Sequence, residues 1–367
     1  MHTLASLFCA LAACASCAAA DVAKLPITDI GKRDGVAYRI DIPANWNHEL
    51  VMFYHGYAVD PVKFPTVEPV SPMFTPLLQR GYAVAQSTYA QTGWAVEQAY
   101  ADTEKLRQHF VAKYAKPQRN FVMGMSMGGT LSALTIESRP EIYAGALSLC
   151  GAIGPSDVMF QRDFALRAAF DYYFPDLLGP LVPVPADYVP DARIEAKIAG
   201  AFANKPEALQ ALLRWYAVAD RRNLVSVIAF NTFEVKEMQQ RTRGNPFDNA
   251  ELIYVGSGDD AALNDGVKRY RGDAQAREYV AKWYTPSGKL TRPFIELHDT
   301  GDPLVPASDP FEYAMAAQRA GHGDNFVQKY VNREGHCVFT PAEIAQAFDE
   351  LIDWTRTGKR PESGKLR

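Results

Sequence analysis

The stretch from Arg119 to Glu137 constrains this chain more than any other. A strand-like run, Arg119 to Met125, meets Gly124-Met125-Ser126-Met127-Gly128-Gly129 and passes at once into a helical run from Leu131 to Glu137. A strand that turns directly into a helix leaves the serine at the tip of a sharp bend. Glycine suits positions 124 and 128 because side chains there would strike the neighbouring strand and helix. The bland alternative is a serine that only caps a helix on a glycine-rich turn.

The rest of the chain has the grammar that this turn requires. Val36 to Ile42, Glu49 to Tyr54, Tyr82 to Ser87 and Ala144 to Leu149 read as strands, and Trp94 to Tyr114 carries apolar residues at helical spacing and stops before Pro117. From Ile153 to Arg292 the alternation gives way to helical stretches around a Pro-rich segment, Pro175 to Pro190. Strands return at Pro293 to Leu297 and Asn325 to Val331, and Pro341 to Arg356 reads as a closing helix. The expected fold is α/β: a mostly parallel sheet with helices on both faces, residues 21–152 and 293–367, interrupted by a large, mainly helical lid or cap insertion at 153–292. Thr357 to Arg367 reads as a frayed tail.

With 48% hydrophobic and 22% charged residues, the 367-residue chain can bury a large core. Its net charge of −4 and the absence of any basic stripe argue against a nucleic-acid partner. Residues 1–20 contain no Asp, Glu, Lys or Arg and end in Ala18-Ala19-Ala20, which reads as a signal peptide for a secreted or periplasmic protein. Two alternatives stay open there: a buried N-terminal helix, or a lipoprotein in which Cys14, after Leu11-Ala12-Ala13, carries a lipid anchor. No run approaches the roughly 18 apolar residues of a transmembrane segment. Gly256-Ser257-Gly258 lacks the third glycine of a dinucleotide fingerprint, and no His or Cys spacing suggests zinc, so neither cofactor nor metal is expected.

A serine hydroxyl is a poor nucleophile at neutral pH, so Ser126 needs a base, and the base needs a partner that fixes its tautomer. His336, in Glu334-Gly335-His336-Cys337, lies after the last expected strand, whereas His322 precedes it. Carboxylates follow the strand that ends at Leu297, in His298-Asp299-Thr300-Gly301-Asp302-Pro303-Leu304-Val305-Pro306. His55-Gly56-Tyr57 follows the strand ending at Tyr54. Together these segments resemble the α/β-hydrolase superfamily over residues 30–151 and 293–356, and the arrangement is also similar to secreted feruloyl-esterase-like and depolymerase-like serine esterases. The resemblance implies Ser126 as nucleophile, His336 as general base and Asp302 as the acid, in preference to Asp299, which is placed to cap the turn. It also implies an oxyanion hole from the backbone N–H groups of Tyr57 and Met127.

The expected activity is cleavage of a small-molecule or polymer-derived carboxylic ester through an acyl-enzyme. A serine peptidase or aminopeptidase, an acyltransferase and a non-catalytic binding protein of the same fold stay open. Aromatics of the insertion, among them Phe160, Phe164, Phe170, Tyr172, Tyr173, Phe174, Trp215 and Tyr216, could line the pocket, though such residues more often form a lid's own core. After residue 20 only Cys150 and Cys337 occur. Both are expected at one edge of the sheet, either as a disulfide or as two free thiols.

Overall fold

A computed structural model describes residues 25–64, 70–217 and 220–366. β1 (Ile27–Arg33) and β2 (Val36–Ile42) form a hairpin whose turn residues, Asp34 and Gly35, have φ of 51° and 84°. Asp-Gly is the pair best suited to that doubly left-handed turn. The remaining strands are β3 (Glu49–Tyr54), β4 (Ala83–Ser87), β5 (Arg119–Met125), β6 (Tyr143–Leu149), β7 (Phe294–Gly301), β8 (Phe326–Glu334) and β9 (Gly364–Lys365). They lie in the order β1-β2-β4-β3-β5-β6-β7-β8-β9. β2 runs antiparallel to both neighbours, and every pairing from β4 across to β9 is parallel.

α1 (Thr75–Gln79), α2 (Val96–Lys113) and α3 (Met127–Ser138) follow β3, β4 and β5. Between β6 and β7 come α4 (Ser156–Tyr173), α5 (Ala192–Asn204), α6 (Pro206–Tyr216), α7 (Arg221–Thr242), α8 (Asp260–Gly266) and α9 (Ala274–Lys282), with no strand among the described residues there. α10 (Ser308–Arg319) and α11 (Pro341–Thr357) follow β7 and β8.

All of β3 is buried, which is why it reads as an unbroken apolar run. Its side chains still alternate. Leu50, Met52 and Tyr54 enter one apolar cluster with Phe110 of α2 and Leu131 of α3, while Val51 and Phe53 enter a second with Leu77 of α1 and Phe348 of α11. Each fully buried Leu or Phe contributes roughly 1.5–3 kcal/mol. The first cluster runs on into the insertion through Phe160, Phe164, Phe202 and Leu212, so those helices share one core with the sheet.

Two elements depart from the sequence reading. β1 was not expected; it is an edge strand, half-exposed, with no clean alternation. The tail does not fray throughout: Arg360 donates to the carbonyls of Asp324 and Phe326, and Leu366 is buried and donates its N–H to Tyr330. The expected signal peptide at 1–20 and the lipid-anchor alternative at Cys14 lie outside the described residues. Among the described residues no helix is long and apolar enough to cross a membrane.

Candidate active site

The parallel registers bring the relevant loops together. Tyr54 pairs with Gly124, Met125 with Leu149, Leu149 with Leu297 and Gly301 with Glu334. The residues that follow β3, β5, β6, β7 and β8 therefore emerge side by side at the C-terminal edge, where open parallel sheets bind ligands. An irregularity in the β7–β8 pairing between Asp299 and Gly301 bends β7 just before Asp302.

Ser126 sits at the junction of β5 and α3 with φ 57° and ψ −123°. Such backbone in a non-glycine residue costs on the order of 1–3 kcal/mol and persists only where its surroundings enforce it. Here its N–H donates to Leu149 O at 2.9 Å, and its carbonyl accepts from Gly129 N at 2.7 Å and Ala152 N at 3.3 Å. The flanking glycines are a matter of space. A Cβ on Gly124 would fall 1.9 Å from Gly128 O, and one on Gly128 would fall 2.1 Å from Tyr54 O.

His336 Nε2 lies 2.9 Å from Ser126 Oγ, and His336 Nδ1 lies 2.7 Å from Asp302 Oδ2. The other Asp302 oxygen accepts the N–H groups of Leu304 and Val305, each at 2.9 Å. These bonds orient the buried Asp302 carboxylate. Asp299 does not touch His336. Its Oδ2 accepts Val338 N at 3.0 Å, bracing the loop that carries the histidine, and burial raises its pKa to about 6.

Sequence reading missed the support behind Asp302. His298 places Nδ1 2.9 Å from Glu296 Oε1 and Nε2 2.8 Å from Val305 O, and the same Glu296 oxygen accepts Gly151 N at 2.9 Å. Both ring nitrogens face acceptors, so both must donate, which requires the imidazolium. Burial opposes that charge, but the hydrogen bond and charge of Glu296, together with the Val305 carbonyl, outweigh it and raise the pKa to about 9. The available signal was Glu296-x-His298, two polar residues on the same face of an otherwise apolar strand.

Because this folded-state pKa lies above the unfolded value of about 6.5, the stabilisation is whole below that pH and is lost as pH rises through about 9. Denaturant unfolding at pH 6 and pH 10 should show the wild type losing on the order of 2–3 kcal/mol more than His298→Gln. Equal losses would remove this account of His298.

Cys150, at the end of β6, and Cys337 form a disulfide with Cα atoms 5.3 Å apart, and they are separated by 187 residues in sequence. It ties the His336 loop to the strand next to Ser126. The donor atoms of Cys150, His336 and Cys337 lie within 4.8 Å of one another, but bonded sulfurs have no thiolates to offer a metal.

Ser126 and His336 open onto a cavity of about 260 Å³. Tyr57 and Met127, the expected oxyanion residues, line it from the core, while Met159 of α4 and Phe230 of α7 line it from the insertion. A Cβ on Gly56 would sit 3.1 Å from the Ser126 Cβ, which shows how closely the segment before Tyr57 passes the serine. The Tyr57 ring meets Phe230 edge-on at 5.3 Å. None of the eight insertion aromatics singled out from sequence lines this cavity. Phe160, Phe164 and Phe170 are wholly buried, and the other five pack against the core. Larger cavities exist, one of about 400 Å³ beside Phe160 and Arg277 and one of about 460 Å³ behind the Asp302 loop, but neither reaches Ser126. Converging chemistry, rather than size, picks out the site.

No family model matches the chain. It is similar to the o-phthalyl amidase of Xanthobacter agilis, at 22% identity over 90% of this chain and 87% of that protein. Among solved structures, it resembles Est1E from Butyrivibrio proteoclasticus, with 12% identity, a TM-score of 0.43 and coverage of 89% and 98% of the two chains. It also resembles the Pyrococcus horikoshii acylaminoacyl peptidase, with 10% identity and a TM-score of 0.44. There 90% of this chain spans only 41% of the peptidase. The antiparallel β2, the exchange of β3 and β4 in an otherwise sequential parallel sheet, and the sharp β5–α3 turn that presents Ser126 give this chain the α/β-hydrolase fold.

Proposed function

We propose that the protein is a serine hydrolase that cleaves carboxylic esters through an acyl-Ser126 intermediate. The observation that carries this reading is the hydrogen-bonded run Ser126–His336–Asp302, which ends in a cavity shared with Tyr57 and Met127. His336 Nε2 accepts the Ser126 proton as Oγ attacks the carbonyl carbon. The backbone N–H groups of Tyr57 and Met127 stabilise the resulting oxyanion. The imidazolium, steadied by Asp302, then protonates the departing alkoxide, and water attacks the acyl-enzyme by the same route in reverse. The small cavity with walls from Trp94, Met159 and Phe230 suits a compact acyl or aryl group. Residues 153–292 act in this reading as a cap over the site, and residues 1–20 direct export.

Amide hydrolysis is the second reading. The same residues serve an amine leaving group, and the similar Xanthobacter agilis protein is an amidase. A fluorophosphonate probe and a matched pair of substrates, the p-nitrophenyl ester and p-nitroanilide of one small aryl acid, test both. The expected result is labelling at Ser126 with faster turnover of the ester. Faster turnover of the anilide would favour the amidase, and neither labelling nor turnover would overturn the proposal.

A further inference from the structure

The same cavity contains two carboxyl groups that the reaction does not use. Glu234 of α7 and Asp163 of α4, 5% and 4% exposed, both line it together with Ser126. A buried carboxylate is normally paired or hydrogen-bonded, because an uncompensated one is very costly. Asp163 meets that requirement on one oxygen. Its Oδ1 accepts from Arg162 Nε and Nη2 at 3.1 and 3.0 Å and from the Tyr216 hydroxyl at 2.8 Å. Among the described residues no hydrogen bond or ion pair reaches the Glu234 carboxyl.

The nearby cations are already engaged. Besides Asp163, Arg162 serves Leu304 O at 3.2 Å and Asp309 Oδ1 at 3.4 Å, and Arg241 is held by Glu237 at 2.6 Å. Near the cavity Asp163 and Asp309 share Arg162, with the His298 imidazolium also facing Asp309, and Glu237 holds Arg241. The group left over is Glu234, which lines the cavity beside Asp163.

We propose that Glu234, backed by Asp163, forms a cation subsite that binds an ammonium group on the substrate while the substrate's carbonyl lies at Ser126. This deepens the hydrolase reading and rests on it for the carbonyl's position, but the subsite binds amines whether or not turnover occurs. An ammonium group brings both the missing positive charge and three N–H donors to carboxyl oxygens that lack them. Burial, with the charges of Asp163 and Glu237, pushes the Glu234 carboxyl well above the usual carboxylate range. An arriving ammonium therefore displaces a proton from Glu234 to solvent. The charged and titratable groups facing it are Asp163 and Arg162 from α4, Glu237 from its own helix, Tyr57 from the loop after β3, and His336 across the cavity.

The test is calorimetric titration of the intact protein with three probes of similar size: benzylammonium, benzyl alcohol and benzoate. The wild type should bind benzylammonium on the order of 10- to 100-fold more tightly than benzyl alcohol, with benzoate weakest. Glu234→Gln, which keeps the shape and removes the charge, should abolish that preference while changing benzyl alcohol affinity less than about threefold. Wild-type protein that binds benzylammonium no better than benzyl alcohol, or prefers benzoate, overturns the subsite. Equal weakening of both probes in the variant does the same, and if Glu234→Gln does not fold, the wild-type comparison decides alone. A protein that hydrolyses neutral esters but shows no amine preference fails this inference only. One that binds the amine selectively yet neither reacts with a fluorophosphonate nor turns over substrate fails the hydrolase reading only.

Discussion

Ser126→Ala should lower kcat/KM on a small aryl ester by about a thousandfold or more while leaving the unfolding free energy nearly unchanged. The two halves of this expectation have separate physical grounds. In the proposed mechanism the covalent route runs through one atom, Ser126 Oγ, and among the described residues no other hydroxyl lies where His336 Nε2 could deprotonate it. Residual catalysis would come only from substrate binding and the oxyanion donors. Stability should hold because alanine meets the same backbone demand at φ 57° as serine does, so the strained bend is neither relieved nor worsened. The bonds that clasp it, from Ser126 N to Leu149 O and from Gly129 N to Ser126 O, belong to the backbone and survive the substitution. The one lost side-chain hydrogen bond is in a partly exposed site and contributes about 1 kcal/mol at most. Kinetics and thermal unfolding on the same preparation check both halves. Activity within tenfold of wild type in a folded variant would remove Ser126 from the mechanism.

The central parallel strands, β3 to β7, were legible because they are mostly buried and bounded by turn residues, so hydrophobicity alone marks them. β3 and β5 were read with the ends they have, and β7 was read short because its last residues, His298 to Gly301, are polar. They stay in the strand because they pair with β8 and, in the case of His298, find buried partners. Ser126, Asp302 and His336 could be placed because chain order and sheet register leave them little freedom. The walls of the cavity could not. Glu234 sits in Phe233-Glu234-Val235-Lys236-Glu237, whose charges suggest a solvated helix face, yet Glu234 and Lys236 are both buried. What buries Glu234 is packing of α7 against α4, whose Asp163 lies far away in sequence, and no local pattern encodes that encounter. The conspicuous aromatics misled for the related reason that bulk draws a side chain into the core more strongly than into a small cavity.

The second large effect separates the two acids of the β7 loop. Asp302→Asn should lower kcat by roughly ten-thousandfold, and Asp299→Asn by less than tenfold. At position 302 the loss comes from a wrong tautomer rather than from a lost contact. One side-chain oxygen must keep accepting the N–H groups of Leu304 and Val305, so the amide would turn its NH₂ toward His336. That NH₂ can only donate, so His336 Nδ1 would have to accept, moving the ring proton to Nε2. A protonated Nε2 facing Ser126 Oγ cannot take the serine's proton, and the imidazolium formed later would lose its counter-charge. At position 299 the task is to accept Val338 N, which an amide oxygen performs as well as a carboxylate does. Burial raises the Asp299 pKa to about 6, so its charge costs the folded protein stability at neutral pH and removing that charge should not destabilise the fold. Both variants should unfold within a few degrees of wild type, so the ranking reads chemistry rather than folding. Measuring kcat for the two variants against the wild type on one ester decides it: a larger loss at 299 than at 302 would transfer the acid's role to Asp299 and leave Asp302 as the residue that merely shapes the turn.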